Sequence, residues 1–530
     1  MKRRITYITA SDAPFDPPKQ AILSKESLSI RNLDAAKEER FTFGSAELPA
    51  GLSQLLETTH EFHIRWATER YYDTVAPFLS RVSPGLHVYY TSLDGDKVED
   101  DSQLCPLLKD LFGQDIKCWS LQESFTQPPI LSTRFSSAAS LQYHTTLPSI
   151  RHFTEKIQHQ ICSSKDTACI DSISELISAD SVDIDYDAIS HTLVISAFWS
   201  QPPPGESGWA DLITKSANSA SQKIEIGLLT SEKAVDAEDL TLGGYLAVVG
   251  ENKELKPTLF SFPSRHHPLP DDATYTTKFE TPTGLHPTLK ISLSPSAVVR
   301  PSAPEDAMCA LHTYLTLPSF IFADKYQLST TDELFLNSHN LVALRAISGE
   351  TDLEAPDWVL PQWGSNLLLE LAHPTDTSHS WDVTIPLHLR YLKPSQSGFQ
   401  SAPLSWPVVF WACTAEDGTK MGINPFDRVN LGYEGLFGPK TMFFQLHPGH
   451  YNNSDSRRER RLVEEISVPV LQTAEGDMLV RGKTARQLEL GTLIAIVLGF
   501  VWVLWKLGSV VKSSAFDSAG PRDAPKKKRT

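Results

Sequence analysis

The run from Leu490 to Trp505, LGTLIAIVLGFVWVLW, carries no charge, and after Lys506 the apolar character resumes through Val511. At about 1.5 Å of rise per residue, 490–511 reaches about 33 Å as a helix, which matches a hydrocarbon core of about 30 Å. A buried core helix is the competing reading; the absence of a polar face at helical spacing together with the basic tail that follows directly favours the span. Lys506 can extend its amine toward headgroups, and Trp502 and Trp505 suit the interfacial belt. Residues 488–511 therefore read as a transmembrane helix, with a basic cytosolic tail over 512–530. Whatever precedes them folds as a body tethered to a bilayer by one span.

Charge narrows the partners. The chain carries a formal −16, split as −20 over residues 1–487 and +4 over 488–530. Binding phosphate backbones needs basic surface, so nucleic acid is excluded as the main partner.

The N-terminal MKRR is basic, but ITYI is too short for the apolar core of a signal peptide and reads as a first strand. Orientation must then come from the span. Arg481, Lys483 and Arg486 lie upstream; Lys506, Lys512, Arg522, Lys526, Lys527, Lys528 and Arg529 lie downstream. The positive-inside rule puts the C-terminus in the cytosol and the body across the membrane. Lys527 and Lys528 fit a di-lysine retrieval signal for the endoplasmic reticulum (ER). A nuclear-import match to KKKR competes, and an integral span argues against it. A tail-anchored protein with a cytosolic body needs no signal peptide and stays open. The six cysteines are too few and too spread for a disulfide scaffold, though fifteen pairings are possible. Asn452-Asn453-Ser454 is a glycosylation sequon, which makes Asn452 an acceptor if the body is lumenal.

Along the body the pattern is mainly β with some α+β. Residues 1–135 mix short strands (ITYI, LSIRNL, RFTF, FHIRW, LHVYY) with helices near 52–57 and 106–112, giving an α+β domain. Residues 140–275 form a β-rich middle domain, with a helix near 150–162 and strands LVISAFW and YLAVVG. Residues 276–475 read as a sandwich-like β domain. Within it Val383, Ile385, Leu387, Leu389 and Tyr391 alternate with polar residues or proline. Pro386 makes this an edge strand or bulges it. PVVFWAC (407–413) suits a strand buried on both faces.

Catalytic signatures are weak. Asp183, Asp185 and Asp187 form D-x-D-x-D, a pattern that can hold Mg²⁺ or Mn²⁺. On a strand those carboxylates would line one solvated face. His266-His267 sits in a proline-flanked loop, without the H-E-x-x-H or C-x-x-C needed for zinc, and is expected to be solvated. The sequence offers no catalytic, cofactor or metal residue.

Four stretches carry a likeness: HPTLKISL, LHTYLTLPSFIFADKYQL, WDVTIPLHLRYLKPS and PVVFWAC, followed by the single span. Together they resemble the PIG-X family and its fungal counterparts, the small subunit of glycosylphosphatidylinositol (GPI) mannosyltransferase I. The resemblance covers about residues 280–511, leaving the first 275 as an N-terminal region of the fungal type. It implies a non-catalytic ER membrane subunit with a lumenal body that needs no cofactor. Its partner would be the multi-span catalytic subunit that adds the first mannose to the GPI precursor. It also implies help in folding other ER proteins; a general membrane-tethered ER chaperone, or an enzyme with a dispersed site, are the alternatives. For partner contact, Gly491, Ala495 and Gly499 form a small-xxx-small stripe at i, i+4, i+8. An open strand edge around Thr384 and His388 offers a second surface.

Overall fold

Val, Ile, Phe, Tyr and Trp recur at alternate positions through most of the chain, and strands dominate it. The computed structural model describes residues 2–11, 13, 15–48, 50–93, 103–129, 140–162, 167–203, 207–215, 223–281, 283–350, 352–415, 432–438, 440–449, 461–472 and 478–517. The body comprises Met1–Lys393 with Phe399–Val470; a second unit comprises Pro394–Gly398 and the chain from Leu471 onward.

Ten strands of the body form one sheet. In spatial order they are Lys256–Pro263, Asp239–Val248, Lys223–Glu232, Lys2–Thr9, Ala36–Gly44, Thr192–Trp199, Ser181–Asp187, Thr59–Ala67, Gly85–Ser92 and Leu141–Thr145. Lys2–Thr9 runs parallel to Lys223–Glu232 and antiparallel to Ala36–Gly44. This corrects the expected division at 135/140. Residues 1–135 and 140–275 interleave strands in a single sheet, because the first strand completes its hydrogen bonding with one more than 200 residues away.

Each strand of this sheet presents alternate residues to opposite faces. Phe62, Ile64, Trp66, Leu86, Val88 and Tyr90 enter one apolar core. Helices Leu104–Phe112 and Arg151–Ile161 contribute to that core, with Phe112 stacked on Phe153 at 5.2 Å between ring centres. Leu104, Leu108 and Phe112 recur every four residues, and the helix ends at Gly113, whose φ of 120° suits glycine.

A six-stranded sheet follows in the order His266–His267, Thr441–Gln445, Val408–Thr414, Met308–Pro318, Gly364–Leu371, Leu341–Gly349. A four-stranded sheet runs Trp381–Pro386, Thr288–Leu293, Thr274–Phe279, His447–Pro448. One apolar cluster joins them: Leu289, Ile291, Val383 and Ile385 meet Leu311, Leu315, Leu367, Val409 and Trp411. Val408–Thr414 is buried on both faces, as its continuous apolar run requires.

The strand expected across 383–391 is interrupted. It ends at Pro386, and the chain resumes as His388–Leu389, paired with Ile321–Phe322. Trp381–Pro386 does lie at a sheet edge, but the edge is not open: His339 Nδ1 lies 2.8 Å from Thr384 Oγ1, and Asn340 donates to the Asp382 carbonyl at 2.8 Å. The end of helix Glu333–His339 thus occupies part of the expected contact surface.

In the second unit, helix Met478–Asp517 is longer than the 488–511 expected, and its apolar span is Leu490–Ser509, with mean hydropathy 2.1 and no part buried. Forty residues make about 60 Å of helix, so it exceeds a hydrocarbon core of about 30 Å.

Candidate functional site

The second face of the ten-stranded sheet is not solvated. Toward one edge it is apolar, where Ile8, Ala36, Phe198, Leu229 and Leu242 pack with Tyr72, Phe78 and Leu79. Over Thr59–Ala67, Gly85–Ser92 and Leu141–Thr145 it is polar and meets residues of the six-stranded sheet. Residues of one parity, Phe62, Ile64 and Trp66, take the apolar core, so His63 and Arg65 must point the other way. On the facing sheet the same rule sends Leu311 and Leu315 inward and His312, Tyr314 and Thr316 back toward the seam. Tyr314, Leu368, Val408, Phe410, Tyr433 and Phe443 cluster there with Ala67 and Val82.

At the centre of this seam the Asp183-Ile184-Asp185 motif meets the strand Thr59–Ala67. Arg65 stands opposite Asp183 and His63 opposite Asp185 in an antiparallel register. Arg65 Nε donates to Asp183 Oδ1 at 2.5 Å; His63 Nδ1 pairs with Asp185, and its Nε2 lies 3.4 Å from Asp183 Oδ1. Arg65, His63 and Asp183 are 0%, 1% and 3% exposed. The expectation that these carboxylates line one solvated face is corrected at Asp183, which is buried; the strand is present, and Asp185 and Asp187 on it stay partly exposed. A His and two carboxylates are gathered here and occupied by ion pairs, with His63 and Asp183 buried and Asp185 partly exposed. Among the described residues, no group of three or more His, Cys, Asp or Glu could hold a metal ion.

Bonds across the seam fix the sheets together. Asn366 donates to Gln142 Oε1 at 2.9 Å, Ser405 to the Pro84 carbonyl at 2.8 Å, and Gln445 to the Arg81 carbonyl at 2.9 Å. Arg461 pairs with Glu69 at 2.5 Å. His266 and His267, expected in a solvated loop, are buried as a short strand stacked on Phe443 and Phe444. His266 Nε2 lies 2.5 Å from Glu434, and His267 Nε2 donates to the Ser264 carbonyl at 2.7 Å. A cavity of about 30 Å³ beside them, lined by Thr74, Ser80, His447 and Gln445, has room for about one water and none for a substrate.

His87 and His144 pack 4.6 Å apart between ring centres, each bonded through Nε2 to a backbone carbonyl, that of Ser83 or Pro84. Burial, then the neighbouring His144, holds His87 well below its ordinary value; burial pushes His144 down to about 4. Burial likewise brings His267 and His312 to about 4. The sign follows directly. Above the unfolded value of about 6.5 both states are neutral, whereas between about 6.5 and about 4 only the unfolded chain takes up protons. Stability should therefore fall with pH in that window, by about 1.4 kcal/mol per unit for each such histidine. Urea midpoints of the full chain at pH 7 and 5 should differ accordingly, and His144→Gln should reduce the difference. A midpoint independent of pH would contradict the buried neutral state.

All six cysteines pair, as Cys105–Cys118, Cys162–Cys169 and Cys309–Cys413. Gly491, Ala495 and Gly499 lie along the exposed apolar helix, and a Cβ added at either glycine would meet nothing within 4 Å. Asn452, Lys527 and Lys528 lie outside the described residues.

The seam residues were not legible as a site. His63, Arg65, His87 and His144 sit in alternating strands whose polar parity is the ordinary sign of a solvated face. By contrast, the segments carrying the family likeness do meet: Phe322 pairs with His388, and His286 Nδ1 lies 2.9 Å from His388 Nδ1.

Comparison with known proteins agrees with those segments. The family model described as PIG-X / PBN1 matches residues 282–508. A protein named pbn1 from Aspergillus oryzae is 54% identical, covering 97% of each chain. Its namesake from Emericella nidulans is 53% identical over 99% of each, and that from Neurospora crassa 39% over 98% of this chain and 97% of its own. These similarities include the N-terminal region that the family model leaves unmatched. With identity above one half along nearly the whole of both chains, this chain belongs to the PIG-X / PBN1 family.

Proposed function

We propose that this chain is a non-catalytic, single-pass ER subunit that takes part in GPI-anchor biosynthesis. In this reading it stabilises the multi-span mannosyltransferase that adds the first mannose to the GPI precursor. Family membership carries the reading. The body, including its two sheets with a shared core in a sandwich-like arrangement, would be lumenal. Three disulfides support that side, since such bonds persist in oxidising compartments. Asn452 would then carry a glycan, and Lys527 and Lys528 would face the retrieval machinery in the cytosol. Gly491, Ala495 and Gly499 would admit a partner helix backbone.

The gathering of His63, Asp183 and Asp185 favours an enzyme as the second reading. Their ion pairs and near-complete burial of His63 and Asp183 suit a clamp between neighbouring strands better than a reaction centre. A general ER chaperone differs from the subunit in having many clients.

Depleting the chain tests the subunit reading. The multi-span subunit should fall severalfold and GPI precursor lacking mannose should accumulate. Gly491→Leu with Gly499→Leu should reduce co-purification of that subunit. Unchanged levels of the subunit after depletion would sink the proposal, and a fall shared by many unrelated ER proteins would favour the chaperone.

A further inference from the structure

Exposed apolar side chains scattered singly are ordinary. Those on the turn Asp357–Val359 and beside it at Tyr391 are firmly held. Trp358 and Val359 are 50% and 61% exposed on the short turn Asp357–Val359. The Asp357 amide donates to the Tyr391 carbonyl at 3.1 Å, Ser319 donates to the Asp357 carboxylate at 2.5 Å, and Arg390 donates to the Ala355 carbonyl at 2.9 Å. Arg390 is itself buried, with its guanidinium 4.2 Å from the centre of the Phe322 ring. This turn is therefore built to hold Trp358 and Val359 in water beside Tyr391, which is 65% exposed.

The position of this surface in the chain is the second observation. Four residues after Tyr391 comes Ser395, whose amide donates to the Leu471 carbonyl at 3.1 Å and which bridges to Gln472. Four residues later comes Phe399, 57% exposed and opposite Pro469 in the last strand. In sequence, Tyr391 and Phe399 thus flank Pro394–Gly398, the segment grouped with the tether, and Leu490, the first residue of the span, follows Leu471 by fewer than twenty positions. A tether this short holds its root at high effective concentration near the bilayer surface. Trp, Tyr and Phe partition well at that depth, where an apolar ring and a wet edge are both satisfied.

We propose that Trp358, Val359, Tyr391 and Phe399 form a lipid-interface contact by which the body rests on the bilayer its helix crosses. The contact is apolar. Residues 1–487, of net charge −20, are not drawn to anionic headgroups, so zwitterionic lipid suffices and salt has little effect. The inference rests on the span crossing a bilayer, and not on the subunit role.

The test uses the full chain in phosphatidylcholine nanodiscs, with Val359→Cys carrying an environment-sensitive fluorophore and Val235→Cys, 97% exposed, as the reference. With shallow spin-labelled phosphatidylcholine, the probe at 359 should lose roughly half its emission and the one at 235 almost none, as for side chains seated about 5–10 Å into the interface. Raising NaCl from about 0.1 to about 1 M should leave the quenching unchanged. Trp358→Ser with Tyr391→Ser should abolish it while thermal unfolding stays put. Equal behaviour of the two probes would overturn the proposal. So would a probe at 359 that is unquenched in nanodiscs but shielded in native microsomes, which would assign the surface to a protein partner.

Discussion

Replacing Cys309 and Cys413 together by alanine should lower the stability of the body by about 4–5 kcal/mol, the largest effect expected of its three disulfides. The two cysteines stand opposite one another on Met308–Pro318 and Val408–Thr414 and are 104 residues apart in sequence. Chain-entropy reasoning scales the gain with the logarithm of the closed loop, giving about 3 kcal/mol for the 13-residue separation of Cys105–Cys118 and about 2 for the seven of Cys162–Cys169. Denaturant midpoints of the full chain should fall in that order for the three paired alanine variants, and a reducing agent should bring the parent to the level of the triple variant. If the paired change at 309 and 413 left the midpoint where it was, the cysteines would be thiols in the native protein. That outcome would also remove a support for the lumenal orientation.

What could be read in advance follows from how far each signal reaches along the chain. Short strand-like runs placed FHIRW and LHVYY on strands, a continuous apolar run placed PVVFWAC on another, and the helix expected near 106–112 forms as Leu104–Phe112. A strand pattern, however, says nothing about which strand lies beside it. The parallel pairing of Lys2–Thr9 with Lys223–Glu232 joins segments that the expected boundary at 135/140 had divided. The same limit hid the seam. In FHIRW the polar parity of His63 and Arg65 fits water or another sheet equally well, and only tertiary packing chooses. Burial of both faces also explains the absence of a continuous apolar run there: the covering sheet supplies partners for charge rather than hydrocarbon. The span needed no such help, since its sixteen uncharged residues are contiguous.

Because tertiary packing alone dictates the Arg65–Asp183 pair, breaking it is the second large effect expected. Asp183→Ala should cost about 3–5 kcal/mol, since it leaves a guanidinium buried opposite a methyl group. The penalty is one of desolvation. A carboxylate 2.5 Å from Arg65 Nε compensates a cation that is 0% exposed. Removing both charges should cost far less, so Arg65→Met with Asp183→Leu should recover most of the loss, as apolar replacement of a buried pair often does. The pair's contribution is then to alignment more than to net stability. Arg65 opposite Asp183 and His63 opposite Asp185 hold one register, and a one-residue slip of Thr59–Ala67 would turn His63 and Arg65 into the apolar core and leave both carboxylates unpaired. Resistance of the full chain to trypsin, together with its urea midpoint, separates the outcomes. A clamp predicts that Asp183→Ala is cut rapidly and the double variant resists, with the partner subunit's abundance following resistance in both. Full resistance of Asp183→Ala combined with loss of partner function would instead mark Asp183 as a group that acts on a ligand, and the enzyme reading would replace the structural one.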